Sequence, residues 1–464
     1  MSYSETIDYL YALQKFGFKF GLDNITKLLQ DLDNPHRNFR TIHISGTNGK
    51  GSTAHMIASI LQSAGLDVGL FTSPHLLSFT ERIRVNSTPI SESEVIDLAA
   101  QVKSVAESSD DFSPTFFEVV TALAMIYFKR HQVDIAVIEV GMGGRLDATN
   151  IVTPEVSVIT SVSYDHSQFL GKTVREIARE KAGIIKITVP VVSAAQEDSV
   201  DRVIEETAKQ NSSLLYTYGR DFNGFLKTSS RSGIVFDYHD DKLYVKDIHI
   251  SVLGKHQVMN ACMAIKASML GTECFGSNLL APYSIRKGFR DLSLSGRLEY
   301  RDGDPAFIFD GAHNPSAAGV LADILNELFL DLYQRRIVIL GVMDDKDIEG
   351  IMKPLLPFAT DIILTQPSYA RAARPEKLSH IAEYLGYFNT YRAPRLQEAL
   401  RAAFLLHEGN NGSPDVPAHA NTSSSPSRHQ LSSIIVVTGS FYTVGEAQEI
   451  LGEKSVLSRL RETP

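Results

Sequence analysis

The chain has 464 residues, 43% hydrophobic and 21% charged, a balance that excludes a disordered or fibrous protein. That length exceeds what one hydrophobic core usually organises, so two domains are expected. The net charge of −9 argues against a general nucleic-acid surface, so cations that handle anionic ligands must be gathered locally.

Met1 to Leu10 carries Glu5 and Asp8 and lacks an apolar h-region, so no secretory signal is expected. Residues 4–32 read as one or two helices, with Ile7, Leu10, Leu13 and Phe16 at helical spacing and Gly21 breaking the run. Arg40–Ser45 is a strand-like run leading into the glycine-rich segment Gly46–Ser52, after which Met56, Ile57, Ile60 and Leu61 mark one face of a helix. Val68–Thr72 reads as a second strand. Val119–Phe128 is among the longest apolar stretches and falls short of the roughly 20 residues a membrane span needs. Asp134–Val140 and Glu155–Val162 are nearly unbroken apolar runs between helices expected at 117–130, 173–183 and 197–210, the pattern of strands buried on both faces of a parallel sheet. The stretch 213–250 mixes Tyr216, Tyr218, Phe222 and Phe236 with polar residues and reads as a small antiparallel insertion. Cys262 and Cys274 are too few for a disulfide framework and have no metal-ligand spacing, which favours a reducing cytoplasm. After Gly296 the βα rhythm restarts, with strand-like runs at Ala306–Asp310, Arg336–Gly341, Asp361–Thr365 and Ile434–Thr438, and the boundary falls near 293. The domains are therefore expected at 1–293 and 294–464, with the Ser-rich segment 408–430 as a disordered surface loop.

Ser45-Gly46-Thr47-Asn48-Gly49-Lys50-Gly51-Ser52-Thr53 lies between an expected strand and an expected helix. Glycines let several backbone N–H groups converge on one phosphate, the helix N-terminus adds its positive dipole end, and Lys50 adds a point charge. Ser52 or Thr53 can put a hydroxyl on magnesium. Two features depart from the strict phosphate-loop pattern: Gly51 separates Lys50 from Ser52, and Ile44 stands where a first glycine is usual.

Three further strand ends carry chemistry. Thr72-Ser73-Pro74-His75 closes the second strand, Glu139 ends the run before Gly141-Met142-Gly143-Gly144-Arg145, and Tyr164-Asp165-His166 follows the next strand. An open parallel sheet binds its ligand at the carboxyl ends of its strands. Ser73, Glu139 and His166 are thereby placed on one rim, where hydroxyl, carboxylate and imidazole can complete a magnesium shell beside phosphate oxygens.

These motifs, with Leu146-Asp147-Ala148-Thr149-Asn150 and Asp310-Gly311-Ala312-His313-Asn314-Pro315, stand in the order found in one family. The chain resembles folylpolyglutamate synthases and the bifunctional dihydrofolate synthase/folylpolyglutamate synthases of the Mur ligase superfamily, from about residue 4 to about 455 with an interruption at 408–430. The resemblance implies an α/β fold, with an N-terminal P-loop ATPase domain and a smaller C-terminal Rossmann-like domain. It implies ATP bound by Thr47, Asn48, Gly49, Lys50, Gly51 and Ser52 together with Asn260, Arg297 and Asp310, and magnesium held by Ser52, Ser73, Glu139 and His166. Lys181 matches a lysine that is carbamylated in the superfamily; on its own, beside Glu180 on a helix, it reads as a solvated surface charge. Carbamylation needs a neutral amine, hence a low-pKa site near cations. His313 and Ser440 match positions near the incoming glutamate. Phe20, Gly21, Leu22, Asp23, Thr115, Phe117, Leu146, Asp147 and Ala148 match a pterin pocket.

The activity so implied is ATP-dependent ligation of L-glutamate to dihydropteroate, to the γ-carboxylate of reduced folates, or to both, by way of an acyl phosphate. Lys50, Lys181, His313 and Ser440 are the expected catalytic residues, in a cytoplasmic monomer that binds neither nucleic acid nor membrane. A muramyl-peptide ligase shares the chemistry, but only about 44 residues stand before the phosphate loop where such an enzyme carries a UDP-binding domain. A non-catalytic nucleotide switch would leave the Asp310–Pro315 motif without a task.

Overall fold

The computed structural model describes residues 1–16, 21–107, 113–276, 279–292, 294–409 and 433–452. Phe20 and most of the 408–430 segment lie outside the described residues. The chain forms two compact units: Met1–Ser229, Gly233–Ser251 and Lys255–Ser293 in the first, and Ser230–Ser232, Val252–Gly254 and the described residues from Leu294 onward in the second.

The first unit is built on an eight-stranded sheet. Its strands are β1 (Arg40–Ser45), β2 (Val68–Phe71), β3 (Ile83–Val85), β4 (Thr88–Pro89), β5 (Ile135–Glu139), β6 (Val156–Ile159), β7 (Val191–Ser193) and β8 (Leu215–Thr217), in the spatial order β4-β3-β2-β5-β1-β6-β7-β8. All pairs from β2 to β8 are parallel, and β3 and β4 add an antiparallel edge. β2, β5 and β6 are buried at every position, as their Val/Ile content requires of strands covered on both faces. The chain leaves β1 toward β2 on one side and leaves β6 toward β7 on the other. The carboxyl ends of the neighbours β1 and β6 are therefore a topological switch point, where a crevice opens for a ligand.

The helix Lys50–Ser63 starts directly at that point and buries Met56, Ile57, Ile60 and Leu61. It packs against the helices His256–Gly271 and Pro282–Arg290. Gly288 lies so close to it that a Cβ would stand 2.7 Å from the Ile60 Cα.

The antiparallel insertion expected over 213–250 is shorter than its composition suggests. Leu215–Thr217 pairs in parallel with β7 and completes the main sheet, while β9 (Phe222–Ser230), β10 (Gly233–Asp240) and β11 (Tyr244–Ile250) form a separate three-stranded sheet. The aromatic residues that set the stretch apart in sequence thus divide between two sheets. A buried ion pair fastens the small sheet to the helix His256–Gly271: Lys266 Nζ lies 2.9 Å from Asp240 Oδ2, with side chains 3% and 0% exposed. Asp240 also accepts the Tyr238 hydroxyl at 2.8 Å, and the Lys266 ammonium sits 4.5 Å from the Tyr216 ring centre.

The second unit holds a six-stranded sheet of β12 (Glu299–Arg301), β13 (Ala306–Phe309), β14 (Arg335–Leu340), β15 (Asp361–Thr365), β16 (Thr390–Ala393) and β17 (Ser433–Thr438), ordered β12-β13-β17-β14-β15-β16. It is parallel apart from β12. β12 and β16 escape a reading by apolar runs because edge strands expose polar residues, here Glu299, Arg301, Thr390 and Arg392. Leu325, Phe329, Phe358, Ile362 and Val436 are central to its core.

Replacing Lys266 by Met leaves the Asp240 carboxylate buried without its counter-ion. The expected loss is about 3 kcal/mol of unfolding free energy, measured by urea titration; an unchanged midpoint contradicts an anchoring role for the pair.

Candidate functional site

The phosphate-loop turn is held from three directions. Gly46 and Gly49 have φ of +147° and +88°, and neither has space for a side chain: a Cβ on Gly46 would lie 1.8 Å from Thr160 Oγ1, and one on Gly49 would lie 2.6 Å from Asn260 Oδ1. The Thr47 N–H donates to the Ser161 carbonyl at 2.8 Å and the Asn48 N–H to the same oxygen at 3.2 Å, which ties the turn to the segment after β6. Thr47 Oγ1 donates to the Ser163 carbonyl. Lys50 Nζ folds back to donate to the carbonyls of Gly46 and Thr47, each at 3.1 Å. Gly51 and Ser52 open the helix from inside the fold, and the buried Ser52 hydroxyl has no hydrogen-bond partner among the described residues.

Ser73, Glu139 and His166 follow β2, β5 and β6 on the carboxyl edge that carries this turn. Glu139 is 2% exposed, and its Oε2 accepts the Ser73 N–H at 3.1 Å. The Ser73 hydroxyl has no partner among the described residues. His166 has a left-handed backbone, φ +49°, and its N–H donates to Asp165 Oδ1 at 2.8 Å. Among the described residues no group of three or more His, Cys, Asp and Glu side chains forms a metal cluster. A hard cation here takes oxygen donors in part from hydroxyls; the Ser52 hydroxyl after β1, the Ser73 hydroxyl after β2 and the buried Glu139 carboxylate at the end of β5 are donors of that kind.

Lys181 overturns the surface-charge reading. It is 4% exposed, and its Nζ donates to the Gly46 carbonyl at 2.6 Å, the oxygen that Lys50 also reaches. Burial pushes its pKa well below the usual lysine range, the nearby Lys50 charge pushes the same way, and Asp165 and Asp147 oppose them. Burial and the Lys50 charge both favour the uncharged amine, the form carbamylation needs. A signal was present in sequence: Lys181 stands four residues after Ile177 and three after Ala178, on the apolar face of the helix Val174–Ala182.

The pocket residues are placed unevenly. The Phe117 ring lies under the Gly141 turn, where a Cβ would come within 2.5 Å of it, and packs on Phe71 at 5.9 Å. Thr115 is buried and caps the helix Phe116–Arg130 in a reciprocal box with Glu118. Asp147 is buried and organises its own loop: Oδ1 accepts the Thr149 N–H and hydroxyl, and Oδ2 accepts the Met142 N–H. Burial raises its pKa against those bonds. Thr149 in turn meets His43 Nε2 at 2.9 Å. Ala148 is buried and Leu146 half-buried. Gly21 and Leu22 are half-buried ahead of the helix Asp23–Asp31, and Asp23 is exposed at its first turn.

In the second unit β13 and β17 are neighbours, so Asp310 and Ser440 follow adjacent strand ends. Asp310 accepts the Leu298 N–H and the Ala312 N–H, each at 2.9 Å. The Arg297 guanidinium sits 4.9 Å from the Phe441 ring centre, and the His313 ring lies 6.2 Å from the same ring. Ser440 caps the helix Phe441–Ile450 by accepting the Thr443 N–H at 3.1 Å. Asn314 caps the helix Pro315–Leu328 in the same way.

Desolvation pushes the Asp310 carboxyl up to about 6, against the two N–H bonds and the nearby Arg297 and His313. An unfolded aspartate titrates near ~3.9. Between those values the folded chain keeps a proton that the unfolded chain has released, so this group makes stability fall as pH rises through that window. Asp310→Asn removes this component. Denaturant midpoints at pH 4, 5, 6 and 7 are expected to show the variant gaining on the wild type as pH rises, with no relative change above pH 7.

Residues 44–268 match the Mur ligase middle domain, and residues 296–411 match the glutamate ligase domain of Mur ligases. The folylpolyglutamate synthase of Lacticaseibacillus casei is 35% identical over 461 residues, covering 98% of this chain and 100% of that protein. Among solved structures, the Mycobacterium tuberculosis folylpolyglutamate synthase complexed with ADP superposes with a TM-score of 0.88 at 30% identity, covering 98% of this chain and 100% of that one. The E. coli enzyme in complex with DHPP and ADP superposes with a TM-score of 0.82 at 29% identity, covering 97% and 98%. With a wedged glycine turn, a buried lysine on its carbonyl and full-length likeness of this extent, the chain belongs to the folylpolyglutamate synthase/dihydrofolate synthase family of Mur ligases.

Proposed function

We propose that this chain is an ATP-dependent ligase that joins L-glutamate to dihydropteroate, to the γ-carboxylate of reduced folates, or to both. The observation that carries this reading is the buried Lys181 amine lodged with Lys50 on one carbonyl of the phosphate-loop turn, where burial and the Lys50 charge both push its pKa down. A neutral, buried amine beside a cation is what carbon dioxide needs to form a carbamate, and an ordinary nucleotide switch has no use for one.

In the reaction, an oxygen of the acid's carboxylate attacks the γ-phosphorus of ATP and ADP leaves, giving an acyl phosphate. The glutamate α-amine then attacks the carbonyl carbon, loses a proton, and phosphate departs from the tetrahedral intermediate. The first step brings a carboxylate to a triphosphate, and two like charges 4 Å apart repel by about 4 kcal/mol at an effective dielectric of 20. Lys50 offsets that charge once it leaves the Gly46 and Thr47 carbonyls for the β- and γ-phosphates. Thr47, Asn48, Gly49, Gly51 and Ser52 present the turn, and Asn260 braces it at Gly49. Ser52, Ser73, Glu139 and His166 would hold magnesium, which supplies charge neutralisation to the transferring phosphoryl group. Carbamylated Lys181 would supply an anion at the end of a buried side chain to orient that cation. In the second unit, Arg297 and Asp310 are assigned to the nucleotide and His313 and Ser440 to the incoming glutamate. Thr115, Phe117, Leu146, Asp147 and Ala148, with Gly21, Leu22 and Asp23, are assigned to the pterin. The chain is assigned to the cytoplasm as a monomer; among the described residues no helix is long and apolar enough to cross a membrane.

Lys50→Ala is expected to lower ATP-dependent glutamate incorporation at least ~100-fold, the scale of losing one charge-stabilising donor to a transition state. Near-normal turnover removes the phosphate-loop assignment. Lys181→Ala is expected to be inactive and to regain measurable activity when small carboxylates such as formate or acetate occupy the vacated space. An active alanine variant without them removes the carbamate.

A further inference from the structure

Arg82 lies at the far end of the loop that begins at Ser73. Its backbone carbonyl accepts the Thr72 N–H at 3.0 Å, so the loop closes beside the strand end where Ser73 reaches Glu139. The residue is 7% exposed. Its Nε donates to His75 Nδ1 at 2.8 Å, which leaves His75 Nε2–H to face the Tyr11 hydroxyl at 3.4 Å. The guanidinium carbon stands 5.5 Å from the Phe116 ring centre, and the Tyr11 ring stacks on that same Phe116 at 5.5 Å and 19°.

A guanidinium has five N–H donors, and one is used here. Among the described residues no carboxylate forms an ion pair with Arg82 and no acceptor meets Nη1 or Nη2. The residue keeps 7% of its surface exposed, and Nη1 and Nη2 are its two nitrogens with no acceptor among the described residues. A charge withdrawn from bulk water without a counter-ion is costly, and Phe116 and His75 offset that cost only in part. The free edge is a planar fork matched to the two oxygens of a carboxylate. Two flat aromatic side chains beside it suit a ligand whose acid group is carried on an aromatic ring.

We propose that the Nη edge of Arg82 binds the carboxylate of the aromatic acid substrate, with Phe116 and Tyr11 as the apolar wall and His75 fixing the plane of the guanidinium. The assignment rests on the ligase reading and adds to it the group that grips the acid before phosphorylation. It makes Arg82 a specificity residue for an aryl acid such as dihydropteroate.

The test compares pteroate with its neutral amide as ligands of the nucleotide-loaded enzyme, by fluorescence titration, in wild type, R82K and R82Q. Wild type is expected to prefer the acid by on the order of 10- to 100-fold. R82Q is expected to lose that preference and R82K, which keeps the charge without the fork, to lose most of it, with nucleotide affinity unchanged in both. In turnover the KM for pteroate rises by the same factor while the KM for ATP holds. An acid preference that survives in R82K and R82Q overturns the assignment, as does equal weakening of acid, amide and nucleotide in the conservative R82K. ATP-dependent glutamate ligation by wild type is scored first with dihydropteroate and with tetrahydrofolate: its absence with both refutes the ligase reading, whereas ligation to tetrahydrofolate only, or ligation to dihydropteroate with an unaltered KM in R82K, refutes the Arg82 assignment alone.

Discussion

A turn that aims several amide hydrogens at one point turns its carbonyls the other way, and those carbonyls need donors. In this protein the demand is concentrated on Gly46, whose oxygen takes the ammonium of Lys50 from within the turn and the amine of Lys181 from the helix Val174–Ala182. The rest of the site depends on that shared oxygen. It draws a lysine 135 positions away into the interior, where burial and a neighbouring cation push its pKa down. Meanwhile Thr160 and Asn260 occupy the space where side chains on Gly46 and Gly49 would stand, so the shape of the turn is fixed by its neighbours. Preorganisation of this kind lowers the reorganisation needed when a triphosphate arrives.

The distribution of charge follows the same logic. An acidic chain must gather cations where anions meet: Lys50 and Lys181 share the Gly46 carbonyl after β1, and Arg82 closes the loop that follows β2. Their environments differ. Lys50 is parked on carbonyls it can leave, Lys181 is buried where its charged form is disfavoured, and Arg82 has most of its donors unspent. By contrast, exposed pairs such as Arg40 with Glu155 are solvated, contribute little to stability, and have no bearing on the site.

Two carboxylates show how burial assigns different work to one chemical group. Asp147 spends both oxygens on Met142 and Thr149 and thereby shapes the loop after Glu139, with His43 supporting Thr149 from the central strand. Glu139 also accepts a backbone N–H, from Ser73, and stands at a strand end beside that residue's unengaged hydroxyl. The first reads as a builder of the site and the second as part of its surface, a distinction that motif matching does not draw.

Local patterns were sufficient for the buried parallel strands, because covered strands are continuous Val/Ile runs, and for the glycine turn between a strand and a helix. They also sufficed to put Ser73, Glu139 and His166 on one rim, since parallel strands present all their carboxyl ends on the same side. The edge strands Glu299–Arg301 and Thr390–Ala393 and the split of 213–250 between two sheets were not legible, because edges are half exposed and pairing partners are chosen at long range. Lys181 and Arg82 mark the same boundary. A lysine on a helix and an arginine after a loop carry no local sign of burial strong enough to outweigh their charge. Their protonation and their unused donors are set by which distant carbonyl or ring the fold brings against them, and that is a property of packing alone.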